Sequence, residues 1–201
     1  MASASACACA VCDISIITAY LRARVPALRS AATSPEIAVV CGSGLSRLSD
    51  LIEDPVHVPY ADIPRFPQAT VAGHGTELVF GTLGGRRVVA QKGRVHYYEG
   101  HSMQRVAVPV RVFAALGCRV MLATNAAGGV NADYRVGDIM VIKDHVSLPC
   151  LGGAHPLTGP NDERLGPRFP PMTAAYAPSL QALAAHVAGK RGLSDCLRSG
   201  V

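Results

Sequence analysis

The sequence has no tryptophan, and aromatic residues of all kinds make up only 5% of its 201 positions. Charged residues are also scarce, at 16%, yet no run of 18 apolar residues is free of charge, so no segment has the composition of a membrane-spanning helix. The 19 basic and 14 acidic residues give a net charge of +5 without any dense basic run or aromatic-interleaved basic stripe. This scatter disfavours a nucleic-acid groove, and the positive balance favours anionic ligands.

The composition that remains is typical of a compact α/β protein. Hydrophobic residues make up 49% of the chain, which is enough to bury a sizeable core. The 20 glycines and 14 prolines indicate many tight turns between short elements. One domain is the default expectation for a chain of about 200 residues.

The sequence has seven cysteines, an odd number, and no signal peptide with a basic region precedes them. Free thiols in a reducing compartment such as the cytoplasm are therefore expected. Three of them, Cys7, Cys9 and Cys12, have no second Cys/His pair at zinc spacing nearby, so no metal site is predicted. The first 35 residues are rich in alanine and serine and poor in acids, as in a transit peptide, but the spacing of Ile17 and Leu21 favours an ordinary helix.

The apolar pattern predicts alternating strands and helices, each ended by a turn signal. Strands are expected at 37–41, 77–83, 86–91, 119–124 and 138–143, with the middle pair forming a hairpin and 119–124 buried. Helices are expected near the N-terminus, at 44–53, at 102–117 with a start or kink at Pro109, and at 172–189. A long polar loop is expected between Asp144 and Pro171, a length that is usually functional.

The stretch Gly42-Ser43-Gly44 follows the first predicted strand. Glycines at a helix N-terminus let an anion approach backbone N–H groups, and the Ser43 hydroxyl adds a donor. The stretch lacks both the third glycine of a dinucleotide fingerprint and the Gly-Lys-Ser/Thr of a Walker A loop. It is therefore either an anion site or a plain tight turn.

The stretch GRVHYYEG, residues 93–100, ends another predicted strand. On an extended backbone Arg94, His96 and Tyr98 point to the same side. The arginine fork suits phosphate, and histidine adds a donor that titrates near neutral pH. The alternative is a solvated strand end with a chance pairing.

A third strand end, TNAAGG at 124–129, combines small residues with a position directly after an apolar strand. Ligands of open α/β sheets collect at the carboxyl ends of strands, so the three strand ends together predict one pocket. His74, between two glycines, is either an exposed loop residue or part of that pocket. The stretch 159–172 is either a surface loop or a lid or oligomer contact.

The order of seven sequence blocks resembles that of purine nucleoside phosphorylases of the homotrimeric class. The blocks are CGSGL, IPRFPQATVAGHG, GRVHYYEGHS, PVRVFAALG, TNAAGGVN, VGDIMVIKDHVSLP and GPNDERLGPRFPPM. The resemblance covers roughly residues 36–178. It implies an α/β fold with a twisted mixed central β-sheet flanked by helices.

The resemblance also implies an activity. Enzymes of this family are pentosyltransferases of purine salvage that use orthophosphate to cleave inosine, guanosine and their deoxy forms. The products are a free purine and (deoxy)ribose 1-phosphate. The expected partners are therefore purine nucleoside and orthophosphate within a cytoplasmic homotrimer, with no cofactor, metal, nucleic acid or membrane.

Matching motifs assign expected roles to individual residues. The implied phosphate-binding residues are Ser43, His74, Arg94, His96 and the backbone of Ala126. The implied nucleoside-binding residues are Tyr98, Ala126 and Ala127. Leu165 stands where the family usually places an aromatic residue that reaches a neighbouring subunit's purine, and this departure would weaken base stacking.

A second departure concerns the end of the chain. Family members continue further and carry purine-recognising residues there, whereas the sequence after about residue 188 resembles no family motif. We therefore expect a tail and helix at 1–35, a partial phosphorylase domain at 36–187 and a divergent tail at 188–201, with a fold incomplete at the C-terminus. Two alternatives stay open: an inactive chain that binds phosphate or mixes into trimers, and a hydrolytic nucleosidase.

Overall fold

The computed structural model describes residues 10–42, 44–69 and 76–201. Two compact units divide the chain. The first contains the described residues up to Ala126 together with His155–Gly159, and the second contains Ala127–Ala154 and Pro160–Val201. The domain boundaries expected at 35/36 and 187/188 stay predictions.

The first unit contains three helices and five strands. The helices are α1 (Ala10–Arg24), α2 (Met103–Val106) and α3 (Val108–Leu116). The strands are β1 (Ile37–Cys41), β2 (Glu53–Pro59), β3 (Glu77–Leu83), β4 (Arg86–Lys92) and β5 (Val120–Ala123). Short 3₁₀ helices lie at Pro26–Arg29, Ser46–Leu51, Tyr60–Asp62 and Tyr97–Glu99.

A mixed five-stranded sheet organises this unit in the order β2-β3-β4-β1-β5. Strand β1 runs parallel to β4 and β5, whereas β3 is antiparallel to both β2 and β4. The predicted hairpin of β3 and β4 is confirmed, and its two turn residues, Gly84 and Gly85, have φ angles of +57° and +73° that favour glycine. The expected mixed sheet flanked by helices is confirmed.

Helices α1 and α3 supply much of the core on one side of the sheet. Ile17 and Leu21 of α1 and Val112 of α3 are all 0% exposed and belong to one buried cluster. The N-terminal helix is therefore confirmed. The break expected at Pro109 is confirmed too, because α2 ends before Ala107 and α3 begins with Pro109 in its first turn, where the missing N–H costs nothing.

Two local predictions are wrong in the first unit. The stretch 44–53 forms a 3₁₀ turn at Ser46–Leu51 and not an α-helix. Strand β5 was expected to be buried, but Met121 and Leu122 are 50% and 53% exposed. The reason is its position: within the described ranges β5 is the outermost strand and pairs with β1 alone. An apolar run in the sequence does not reveal whether anything packs on the faces of the strand.

The second unit contains β6 (Ile139–Ile142), α4 (Leu148–Leu151), α5 (Pro178–Lys190) and β7 (Leu197–Gly200), with β6 and β7 paired in parallel. The loop expected from Asp144 to Pro171 is interrupted by the single turn of α4. The final helix begins at Pro178 and not at residue 172, since proline is favoured in the first turn. No helix in the described ranges is long and apolar enough to cross a bilayer.

Candidate functional site

Three strands of the first unit end side by side. Cys41 at the end of β1 pairs with Lys92 at the end of β4, and Val40 pairs with Ala123 at the end of β5. The chain therefore leaves the sheet at the same end of these three strands, through Gly42 after β1, Gly93 after β4 and Thr124 after β5. This end of the strands is the edge at which the candidate site lies. This edge carries the carboxyl ends of parallel strands, where α/β sheets bind their ligands.

Thr124 ties the ends of β1 and β5 together. The Gly42 N–H donates a hydrogen bond to the Thr124 hydroxyl at 2.9 Å, and that hydroxyl donates to the Val40 carbonyl at 3.0 Å. A Cβ on Gly42 would lie 2.3 Å from the Thr124 carbonyl oxygen and 2.7 Å from Cα of Asn125. Only glycine therefore permits this close approach of the two backbones.

Arg94 and His96 are half-buried and flank Val95, whose side chain is 5% exposed and anchored in the protein. This alternation is the one expected of an extended backbone. None of the hydrogen bonds or salt bridges between described residues involves Arg94, so its guanidinium is available to an anion. The segment leaves β4 through Gly93, which has a φ of +80°.

His96 is held by Glu99. The Glu99 carboxylate accepts a hydrogen bond from the His96 backbone N–H at 2.7 Å and lies 2.7 Å from Nδ1 of the same residue. The Glu99 side chain is only 2% exposed, so the contact is protected from water. A carboxylate at Nδ1 selects the tautomer with the proton on that nitrogen, and Nε2 is then the unprotonated ring nitrogen.

Tyr98 was expected on the same extended strand as His96, and this is wrong. The backbone turns into a 3₁₀ conformation at Tyr97–Glu99, because the Glu99 contact pulls the chain back towards His96. The two rings nevertheless meet: His96 and Tyr98 stack with centroids 4.7 Å apart and an interplanar angle of 18°. Tyr98 is 75% exposed and presents its outer face to solvent.

Cys41 carries a thiol at the end of β1. Cys41 is 3% exposed, and burial raises the pKa of its thiol, while the nearby charge of Lys92 acts in the opposite direction. A protonated, buried thiol is a poor nucleophile. Among the described residues, no group of three or more His, Cys, Asp or Glu side chains lies close enough together to hold a metal ion.

The remaining predicted site residues are distributed as follows. Ser43 and His74 lie outside the described residues. Ala126 ends the first unit and is exposed, its carbonyl accepting a 3.3 Å hydrogen bond from the side chain of Asn125. Ala127 and Leu165, the latter 38% exposed, belong to the second unit. Within the first unit, the structure thus gathers the segments of Gly42, Arg94, His96 and Ala126 at one sheet edge.

Sequence reasoning missed Glu99 and Thr124. The spacing of Glu99, three residues after His96 at the start of a turn, is that of a capping box and could have predicted the contact. Thr124 gave no such signal, because a threonine at the end of an apolar strand is common and its partners lie 82 and 84 positions away in the chain.

Comparisons with known proteins agree with this arrangement. The sequence profile of the phosphorylase superfamily matches residues 36–201. The chain is 54% identical over 142 residues to the purine nucleoside phosphorylase of Rattus norvegicus, covering 71% of this chain and 49% of that protein. It is 51% identical over 169 residues to purine nucleoside phosphorylase 1 of Geobacillus stearothermophilus, covering 84% and 60%.

Solved structures give the same result. The purine nucleoside phosphorylase of Schistosoma mansoni in complex with inosine superposes with a TM-score of 0.87 at 41% identity, covering 94% of this chain and 64% of that one. Isoform 2 from the same organism, in complex with cytosine and ribose-1-phosphate, gives 0.86 at 43% identity. The chain spans about half to two thirds of the length of these relatives. The chain therefore belongs to the phosphorylase superfamily and, within it, to the purine nucleoside phosphorylase family.

Proposed function

We propose that this protein binds orthophosphate at the edge formed by β1, β4 and β5 and uses it for phosphorolysis of purine nucleosides. The substrates are inosine, guanosine and their deoxy forms, and the products are a free purine and (deoxy)ribose 1-phosphate. Relatives solved with inosine and with ribose-1-phosphate support this substrate class. The observation that carries the proposal is the Arg94 guanidinium, which has no partner among the described residues, beside His96 at the end of β4.

Arg94 and His96 have the chemistry that orthophosphate requires. The guanidinium offers a fork of donors and a permanent positive charge, and it has no partner in the described part of the chain. With Nδ1–H donating to Glu99, Nε2 of His96 accepts a hydrogen bond from the hydroxyl of a monohydrogen phosphate or, in the imidazolium form, donates one to a phosphate oxygen. We propose that Ser43, His74 and the backbone of Ala126 complete the phosphate site.

The reaction follows from where this anion is held. A phosphate oxygen forms a bond to the anomeric carbon of the sugar as the bond from that carbon to the purine nitrogen breaks. The electron pair leaves with the purine, which takes up a proton. Positive charge develops on the ribose, and a phosphate dianion fixed beneath the ring stabilises it and then captures it. In this scheme the protein supplies no nucleophile of its own.

The sugar and the base occupy the remaining proposed sites. The exposed ring of Tyr98, stacked on His96, contacts the ribose, so that phosphate and sugar are held by neighbouring side chains. Ala126 and Ala127 line the nucleoside site with small side chains. No cofactor is required, because orthophosphate is itself the co-substrate.

The proposal extends to assembly and location. We propose a homotrimer in which Leu165 contacts a neighbouring subunit, which its partial exposure allows. The described cysteines Cys41, Cys118, Cys150 and Cys196 are free thiols, which supports a reducing compartment, and we propose the cytoplasm.

Purine release from inosine, measured with and without orthophosphate, tests this function. Release only in the presence of phosphate is expected. Release that is independent of phosphate would identify a hydrolytic nucleosidase, and absence of release at high protein concentration would favour the inactive phosphate-binding alternative.

Two arginine variants sharpen the assay. Arg94→Ala should lower the rate by about 100-fold or more at a given phosphate concentration, because a charged partner of the reacting anion is lost. Arg111→Ala is the matched control: Arg111 is also half-buried but lies on α3. Equal losses in the two variants would contradict the proposed site.

A further inference from the structure

We propose that Tyr60 and Gln68 are positioning residues for orthophosphate, which hold both ends of the segment 93–101 that carries Arg94 and His96. This inference rests on the proposed function, because it concerns the same anion. Neither residue has a role in the function set out above, and neither lies in the segment that it holds.

Tyr60 holds the beginning of the segment. It directly follows β2, its ring is 0% exposed and packs on Phe66 at a centroid distance of 4.6 Å, and its hydroxyl donates a 2.7 Å hydrogen bond to the Gly93 carbonyl. Burial raises the pKa of the Tyr60 phenol far above its usual range, whereas a hydrogen bond with Gln91 lowers it. The hydroxyl therefore keeps the proton that it donates.

The Gly93 carbonyl is an effective point at which to fix the segment. It belongs to the planar peptide unit that joins Gly93 to Arg94, so holding its oxygen sets the direction in which the Arg94 backbone begins. Gly93 has a φ of +80° and can rotate more freely than other residues, so an external bond is needed to define this plane. The side chain of Val95, which follows Arg94, is buried, but it does not fix the orientation of the Gly93–Arg94 peptide.

Gln68 holds the other end of the segment. Its side-chain N–H₂ donates to the Tyr60 carbonyl at 2.7 Å and to the Phe66 carbonyl at 3.1 Å. Its backbone carbonyl lies 3.0 Å from Nε2 of His101, and a histidine nitrogen that faces a carbonyl must donate. A continuous chain of contacts thus runs from Gly93 through Tyr60 and Gln68 to His101.

The consequence concerns phosphate binding more than stability. The Arg94 side chain has no partner of its own in the described residues, so the direction of its backbone sets the region within which the guanidinium meets the anion. A displacement of about 1 Å in a positioning element can cost about 100-fold in rate. Loosening the Gly93–Arg94 peptide should therefore weaken phosphate binding more than nucleoside binding, because, of the proposed nucleoside contacts, Tyr98 lies in this segment, whereas Ala126 and Ala127 lie outside it.

Tyr60→Phe tests the inference, because it removes the hydroxyl and keeps the ring. Calorimetric titration of the full chain with inorganic phosphate should show affinity about tenfold weaker than wild type, whereas inosine binding should change less than about twofold. Tyr20→Phe is the matched control: Tyr20 packs partly buried against the same core, and no hydrogen bond of its hydroxyl exists among described residues. It should bind phosphate as wild type does.

Hydrogen exchange without ligand gives an independent readout. The backbone N–H groups of His96, Glu99 and Gly100 all donate hydrogen bonds within the segment. They should exchange faster in Tyr60→Phe than in wild type or Tyr20→Phe, because the segment is less restrained. Gln68→Ala should produce a smaller increase of the same kind.

The outcomes separate the two proposals. If wild type binds phosphate, Arg94→Ala does not, and Tyr60→Phe matches wild type in both affinity and exchange, the positioning role is wrong and the proposed function stands. A parallel loss of phosphate and inosine binding in Tyr60→Phe would also overturn the positioning role, since it would indicate general loosening. If wild type binds no phosphate, the proposed function fails and the positioning role fails with it.

Discussion

The two units of this chain differ sharply in how far their apolar side chains are buried. Among the described residues, every buried apolar side chain except Ala188 lies in the first unit. In the second unit Val130, Val136 and Phe169 are 102%, 109% and 86% exposed. The candidate phosphate edge is therefore built on a packed scaffold, whereas the second unit presents apolar surface of the kind that marks an interaction site.

The largest expected effect separates the two units directly. Leu78→Ala in β3 removes a side chain that is 0% exposed and should lower the free energy of unfolding by about 2–5 kcal/mol. Leu151→Ala in α4 removes one that is 79% exposed and should change it by less than about 0.5 kcal/mol. Urea denaturation of both variants measures the difference. Similar losses would show that the second unit buries its leucines after all.

Glycine substitutions sharpen the comparison at the site. Gly42→Ala places a methyl group against the Thr124 carbonyl and the Asn125 backbone, so β1 and β5 must separate at a cost of about 3 kcal/mol. Gly128→Ala, in the second unit, meets nothing within 4 Å and should be nearly neutral. Thermal unfolding distinguishes them. A neutral Gly42→Ala would contradict the close approach of the two backbones.

Thr124→Val is expected to have a smaller effect. It removes the hydroxyl that accepts from Gly42 and donates to Val40, at a cost of about 1–2 kcal/mol. Thr173→Val in the second unit is the control, because Thr173 is exposed. The free energies of unfolding of both variants provide the measurement, and equal values would leave Thr124 without the role assigned to it.

Much of the fold could be predicted from the sequence because local patterns determine it. The β3–β4 hairpin follows from two short apolar runs on either side of Gly84-Gly85, and the break before α3 follows from Pro109. The exposure of β5 could not be predicted, because it depends on β5 being the outermost strand of the sheet. Composition specifies an apolar strand but not what covers it.

The site was predictable to a different degree. The segment holding Arg94 and His96 could be recognised because i, i+2 spacing on extended backbone is a local rule. Tyr98 broke that rule, since the Glu99 contact turns the backbone after His96. Tyr60 and Thr124 escaped recognition because their partners lie 33 and more than 80 positions away in the chain.

The smallest expected effect concerns acid conditions in the second unit. The hydrogen bond from the Arg135 backbone N–H is the largest cause that holds the pKa of Asp138 below its usual value. Desolvation acts in the opposite direction, and the charge and hydrogen bond of Arg198 on β7 add to the lowering of this pKa. Its stabilising contribution is present above the unfolded pKa of about 3.9 and is lost as the pH falls through the lower folded pKa.

Asp138→Asn should therefore make the free energy of unfolding less dependent on pH under acid conditions. The unfolding free energy of wild type should decline more steeply than that of the variant as the pH falls below about 4. Glu163→Gln is the control, because Glu163 is an exposed carboxyl of the same unit. Parallel curves for wild type and Asp138→Asn would contradict the role of the carboxylate.

Calorimetric titration with orthophosphate, comparing wild type with Arg94→Ala and Arg111→Ala, tests most directly whether the packed first unit carries the anion site. The account predicts saturable binding in wild type and in Arg111→Ala, and loss of binding in Arg94→Ala. Equal binding in wild type and Arg94→Ala, or no binding in any of the three, would contradict it.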